Sequence, residues 1–165
     1  MTLRRQENKV RRLGIACLAV LAGMAALCGE AAALTERLVV NRHTGLAIDG
    51  FDPVAYFTDA EAVKGLPDIE AGAAGAVWRF RNEANRTEFL AHQDIYGPRF
   101  GGYDPVDVAR GKAIAGRPQL WLVSGERLYL FSRDENRSAF AADPKAVLKQ
   151  ADASWPALVD TLADY

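Results

Sequence analysis

Beyond residue 33 the chain has no sulfur: Cys17, Cys28, Met1 and Met24 all lie before that point. A domain built from the remainder cannot use disulfides. It offers no thiolate nucleophile, no soft-metal site for Cu(I) or zinc-thiolate, and nothing for cysteine or methionine oxidation to act on. Histidine is almost as scarce. Only His43 and His92 are present, 49 residues apart, with no metal-ligand spacing between them. The four serines, Ser124, Ser132, Ser138 and Ser154, stand outside any G-x-S-x-G elbow. No phosphate-cradling G-x-x-x-x-G-K-[ST] and no H-E-x-x-H occurs. Residues 34–165 carry 15 Lys and Arg against 19 Asp and Glu, a net charge of −4. A mildly acidic domain has no basic footprint for nucleic acid or for an anionic membrane surface.

The first 33 residues differ in character. Arg4, Arg5, Lys9, Arg11 and Arg12 precede an apolar run from Leu13 to Leu27, and Ala31-Ala32-Ala33 follows. A basic segment, an apolar segment and a small-residue A-x-A site are the three parts of a cleavable secretory signal. The run is shorter than the roughly twenty residues of a membrane span. The expectation is a bacterial periplasmic or secreted protein with no membrane attachment after cleavage. An uncleaved anchor and lipid attachment at Cys28 are the alternatives. The mature remainder of 132 residues is enough for one domain with a real core.

Two stretches of that remainder match. Gly50-Phe51-Asp52-Pro53-Val54 corresponds to Gly102-Tyr103-Asp104-Pro105-Val106 at an offset of 52. Trp78-Arg79-Phe80 corresponds to Tyr129-Leu130-Phe131, and Asn85-Arg86 with Phe89 to Asn136-Arg137 with Phe140, at an offset of 51. Each unit opens on Asp-Pro, which suits a helix start with Asp at the N-cap. A short helix is expected from Pro53 to about Phe57 and from Pro105 to about Ala109. A strand pair follows in each. In the second unit it is Leu120–Val123 and Arg127–Phe131 around a three-residue Ser124-Gly125-Glu126 loop. In the first, the outgoing strand is Ala76 to Phe80 after a Gly72–Gly75 loop. An amphipathic helix closes each unit, about Glu83 to His92 and up to about Ala142, the second opened by a Ser132–Glu135 capping box. Further helical stretches are expected after Asp143-Pro144 and after Trp155-Pro156, and an edge strand near Leu38 to Val40. The fold class is therefore α+β, a small single domain of two pseudo-repeated helix–β-hairpin–helix halves. Its segments are a signal peptide at 1–33, a lead-in at 34–44, the domain at 45–153 and a tail or short helix at 154–165.

Three segments carry a resemblance. They are Ala47-Ile48-Asp49-Gly50-Phe51-Asp52-Pro53-Val54-Ala55-Tyr56-Phe57, Asn85-Arg86-Thr87-Glu88-Phe89-Leu90, and Tyr96-Gly97-Pro98-Arg99-Phe100-Gly101-Gly102-Tyr103. Through them the chain resembles the exported branch of the YHS domain family over roughly residues 45 to 145. The resemblance implies a small α+β domain, commonly secreted or periplasmic, with no general biochemical activity. Some branches of the family handle heavy metals through cysteine. Where many relatives have Gly-Gly-Tyr-Cys this chain has Gly101-Gly102-Tyr103-Asp104, so the most suggestive ligand is replaced.

The residues leave several chemistries open. Asp52 and Asp104 are helix caps, or a carboxylate pair that shares a proton or holds a hard cation with His43. Arg86 and Arg137 are solvated, or clamp the Asp-Pro turns in bidentate fashion. Tyr56, Phe57, Trp78, Phe100, Tyr103, Trp121 and Tyr129 are core, or line a ligand pocket centred on Phe100–Tyr103, where glycines admit close backbone approach. The leading expectation is a non-enzymatic module binding a small ligand or a periplasmic protein, with no cofactor. The candidate ligand residues are Asp52, Tyr56, Arg86, Phe100, Tyr103, Asp104 and Arg137. A hard-metal binder using Asp52, Asp104 and His43, and an enzyme with carboxylate acid/base chemistry, are the alternatives.

Overall fold

The computed structural model describes residues 37–162. The expected signal segment, with both cysteines and both methionines, lies outside the described residues. Two strand pairs are set between groups of helices along the chain. Short helix α1 (Ala55–Thr58) leads to strands β1 (Leu66–Ala73) and β2 (Ala76–Phe80). Helices α2 (Glu83–Ala91) and α3 (Gln93–Tyr96) follow. Short helix α4 (Pro105–Ala109) then leads to β3 (Arg117–Ser124) and β4 (Arg127–Phe131), helix α5 (Asp134–Ala142) and the long α6 (Pro144–Leu162). The fold is mixed, with two separate two-stranded antiparallel sheets, β1–β2 and β3–β4, among the described residues.

Both hairpins close through two residues with positive φ, Ala74 at 51° with Gly75 at 77°, and Gly125 with Glu126, both at 57°. Two left-handed residues match the right-handed twist of the strands they join. The loop expected at Ser124–Glu126 is therefore one residue shorter, and Ser124 ends β3. Each hairpin also breaks register near its base, between Leu66 and Glu70 in β1 and between Arg117 and Trp121 in β3. Pro67 and Pro118 stand inside these irregular stretches, where a missing N–H costs the ladder nothing. The far edge of β2 is bridged by Leu46 and that of β4 by Pro98.

The side chains sort into two cores. Trp78 and Phe80 of β2 pack on Phe89 of α2, with ring centroids at 4.6 and 5.3 Å. Tyr129 and Phe131 of β4 pack on Phe140 of α5, at 4.7 and 5.4 Å. The hairpin β3–β4 serves both. Its Leu128, Leu130, Trp121 and Val123 complete the first core, while Tyr129, Phe131, Leu120 and Leu122 belong to the second. The outer face of β1–β2 instead carries the Arg79–Glu70 ion pair, 2.8 Å. The open side of the second core is covered by α6, through Ala151, Val147, Leu148, Trp155 and Leu158.

Other expectations are corrected. The Ser132–Glu135 capping box does not form: Arg133 is the N-cap of α5 and makes no side-chain cap bond. Ser132 Oγ is drawn to Asp104 Oδ2 at 2.8 Å, because a carboxylate is a stronger acceptor for that hydroxyl than a backbone amide is a donor to it. No second helix starts after Trp155-Pro156; α6 is one helix with Pro156 inside it. Near Leu38 to Val40 there is a single bridge, Val40 to Ala47, in place of a strand.

Candidate functional site

Asp52 and Asp104 are fully buried at the starts of α1 and α4. Asp52 Oδ1 accepts from Val54 N at 2.9 Å and Ala55 N at 3.4 Å, as a helix cap does. Its Oδ2 accepts from Arg81 N at 2.7 Å and Asn85 Nδ2 at 2.8 Å, tying the turn to the end of β2 and to α2. Asp104 repeats the pattern. Oδ1 accepts from Val106 N at 2.9 Å and Asp107 N at 3.4 Å; Oδ2 accepts from Ser132 N at 2.7 Å and Asn136 Nδ2 at 2.8 Å. Each carboxylate takes its donors from its own stretch of chain, so the pairing expected between Asp52 and Asp104 is not what the bonds show. The neighbour of Asp104 is Asp107, itself buried, which shares Ser132 Oγ (3.1 Å) and Asn136 Nδ2 (2.9 Å) with it. Arg133 answers that added charge at 2.8 Å from Asp107 Oδ1.

Arg86 and Arg137 do not reach the Asp-Pro turns. Arg86 pairs with Glu83 at 2.6 Å and Arg137 with Asp134 at 3.1 Å, both along the exposed face of their own helix. The neighbouring asparagines make the inward contact instead. Asn85 and Phe89, like Asn136 and Phe140, are four residues apart on one helix face. That spacing to the core Phe is the signal that could have picked Asn over Arg, since a neutral amide is cheaper to bury than a guanidinium. His43 lies in an exposed turn, its N–H held by Asn41 Oδ1 at 3.0 Å. Among the described residues no group of three His, Cys, Asp or Glu side chains is placed to hold a metal ion. Tyr56 is buried and donates its hydroxyl to Pro118 O at 2.9 Å, joining α1 to β3. Burial, and then the nearby Asp52 carboxylate, push its phenol well above the ordinary tyrosine range.

Immediately before each Asp-Pro the chain makes a left-handed turn, Ile48–Gly50 and Arg99–Gly102. Ile48 (φ 42°), Asp49 (52°) and Phe100 (53°) occupy a region costly for side-chain-bearing residues. The first turn lies against the lead-in chain, with Asn41 Nδ2 donating to Asp49 Oδ1 at 3.0 Å. Val39, Val40, Asn41, Ile48, Asp49, Gly116 and Pro118 enclose a small cleft there. At the second turn Gly101 admits a close backbone approach, as expected, but the approaching backbone is the protein's own. Val39 N–H donates to Gly101 O at 2.7 Å, and a Cβ on Gly101 would lie 1.9 Å from Arg37 O.

The other side of the second turn belongs to α6. Trp155 meets Phe100 edge-on with centroids at 5.5 Å and Tyr103 at 6.1 Å. Arg99 Nη2 donates to Asp152 Oδ1 at 2.6 Å, and its guanidinium lies 5.0 Å from the Phe100 ring centre. Tyr129 lies within reach of the same charges. Burial raises its phenol, Arg99 and Arg127 oppose the shift, and Asp152 adds to it. Phe100 and Tyr103 are thus brought together, with Arg99, which the sequence had not singled out. Asp52, Asp104 and Tyr56 belong to the frame beneath. No protein-family model, curated protein or solved structure matches the chain.

Proposed function

We propose that the chain is a non-enzymatic binding domain of the YHS kind, exported by its first 33 residues and built from a duplicated unit, that takes a small ligand at the Arg99–Tyr103 turn beneath α6. The observation that carries this reading is the covering of Phe100 and Tyr103. They are met by side chains of one C-terminal helix, through the Trp155 ring and the half-exposed Arg99–Asp152 ion pair. Such a cover can be displaced without unmaking either hairpin. Convergent aromatic surface with one charged anchor is also the usual make-up of a small-ligand site. The saturated carboxylates of Asp52 and Asp104 favour a structural role for the Asp-Pro turns over acid/base or cation chemistry.

Duplication is supported by register as well as sequence. Gly50 O and Gly102 O each accept from a glycine N–H at 2.9 Å, from Gly65 and Gly116. The bridge Phe51–Lys64 has its counterpart in Tyr103–Ala115, one residue shorter in span, which is where the offset falls from 52 to 51.

Native mass spectrometry of the untagged protein recovered from a bacterial periplasm tests the proposal. The expected result is a chain beginning at residue 34 with a small bound mass that a Phe100→Ala variant loses. A clean, ligand-free mass that stays clean across a small-molecule panel would overturn the small-ligand reading. A first residue other than 34 would overturn the cleavage site.

A further inference from the structure

We propose that Asp152 and Trp155 are a built-in occupant of this site, and that the external ligand they stand in for is an aromatic carboxylate. The inference deepens the small-ligand reading and rests on it. The two side chains lie three residues apart on α6 and so project from one helix face. Together they present a carboxylate to Arg99 at 2.6 Å and an aromatic ring to Phe100 and Tyr103 at 5.5 and 6.1 Å. Read from the turn's side, the recognised chemistry is an acid group about one ring's reach from an aromatic system. A second cation stands close by: Arg127, whose Nη1 donates to Asp94 O and whose charge also acts on Tyr129. Among the described residues the carboxylates paired with Arg99 and Arg127 are Asp152 and Asp94, so a bound carboxylate that displaced Asp152 would restore the charge balance the helix now supplies.

The helix is weakest where it makes this contact. Pro156 has no N–H to give the carbonyl of Asp152, four residues before it, so the ladder is interrupted at the clamp itself. Of the 19 residues of α6, Ala151 alone is fully buried, and it lies on the N-terminal side of the interruption. The segment after Ala151 is held by Trp155 and Leu158 in the second core and by the exposed ion pair to Arg99. A broken hydrogen bond followed by side chains that are only partly buried marks a segment able to open locally while the rest stays folded. In the closed state Asp152 and Trp155 fill the site; in the open state it is free. Ligand and helix then compete, and apparent affinity falls by the fraction of molecules that are open.

The experiment uses the full mature chain with two probes, indole-3-propionate and its neutral amide. Binding is followed by calorimetry, and exchange of backbone amides in residues 152–162 by mass spectrometry. The expected result is that the acid binds about tenfold more tightly than the amide, and that saturation with the acid speeds exchange in 152–162 several-fold. Arg99→Gln removes the preference for the acid. Asp152→Asn, which leaves the Trp155 packing in place, tightens binding of the acid. Equal affinity for acid and amide, or indifference to Arg99→Gln, would overturn the carboxylate assignment while leaving a binding site at the turn. Binding without faster exchange in 152–162 would overturn the displacement. Failure of both probes to bind wild type and Asp152→Asn at millimolar concentration overturns the aromatic-acid inference, and the periplasmic mass measurement then decides separately whether another ligand uses the turn.

Discussion

Replacing Asp52 by alanine should be among the most damaging single changes in the protein. Its side chain is fully buried and accepts three bonds at 2.9 Å or less, from Val54 N, Arg81 N and Asn85 Nδ2. Alanine leaves these donors without the acceptor; the bonds from Val54 N and Asn85 Nδ2 are buried and that from Arg81 N partly so. Each orphaned donor costs about 1–3 kcal/mol, and allowing for partial relaxation the total is about 3–6 kcal/mol. A domain of this size has roughly 5–15 kcal/mol in all, so the variant should lose a large share of its stability. Asp143→Ala is the control. Asp143 also precedes a proline at a helix start, but it is exposed and its side chain accepts one bond, from Ala146 N at 3.0 Å. Losing an exposed cap costs about 1 kcal/mol. Urea unfolding of residues 34–165, followed by tryptophan fluorescence and far-ultraviolet circular dichroism, measures both. If Asp52→Ala costs no more than Asp143→Ala, the view of Asp52 as the tie between α1, β2 and α2 is wrong. If it folds normally and loses a ligand instead, the carboxylate belongs to the function and not to the frame.

Gly101→Ala should displace the lead-in chain, because the added carbon meets Arg37 O. Gly45→Ala has a similar φ of 70° but open space around it, and should cost only the roughly 1 kcal/mol of a left-handed alanine; limited proteolysis near residue 37 separates the two. Tyr56→Phe should cost about 1 kcal/mol at neutral pH through loss of the bond to Pro118 O. Because the folded protein holds the Tyr56 proton more tightly than the unfolded chain, its contribution is complete below about pH 10 and declines as the pH rises above that value. Wild type should therefore lose stability more steeply than Tyr56→Phe in alkaline urea titrations, and parallel curves would count against the shift. Arg86→Ala and Arg137→Ala should each change stability by less than about 0.5 kcal/mol, since exposed pairs within one helix contribute little; a larger loss in thermal melts would mean that they touch more than Glu83 and Asp134.

The sequence was most legible where local chemistry and burial agree. The glycine loop before Ala76 and the Asp-Pro starts placed β2, α1 and α4 to within two residues. It was less legible where a tertiary partner outbid a local one. Ser132 looks like a cap and is taken by Asp104; Asn85 and Asn136 look like filler beside arginines and carry the buried bonds. The hairpin turns are shorter than the sequence suggests because Ala74 and Glu126 take left-handed positions, where Asn or Gly is the common choice. Pro156 looked like a helix start, yet the carbonyl it leaves unpaired belongs to a solvent-exposed residue, so the helix runs through it. For the candidate site, Phe100 and Tyr103 could be named from their glycine-rich setting. Arg99, Asp152 and Trp155 could not, because 53 residues separate the two ends of that ion pair.

The two-faced hairpin β3–β4 bears on how the chain finds one alignment. Along Leu128, Tyr129, Leu130 and Phe131 successive side chains enter different cores, so no position in the run faces water. A slip of one residue would send both aromatics into the space shaped for leucines and both leucines against Phe140, spoiling two cores at once. In β1–β2 the same slip would spoil one core, turning Trp78 and Phe80 outward and burying Val77 and the Arg79 guanidinium. Pairing errors are thus penalised twice in the second hairpin and once in the first, and substitutions there should be tolerated in the inverse order.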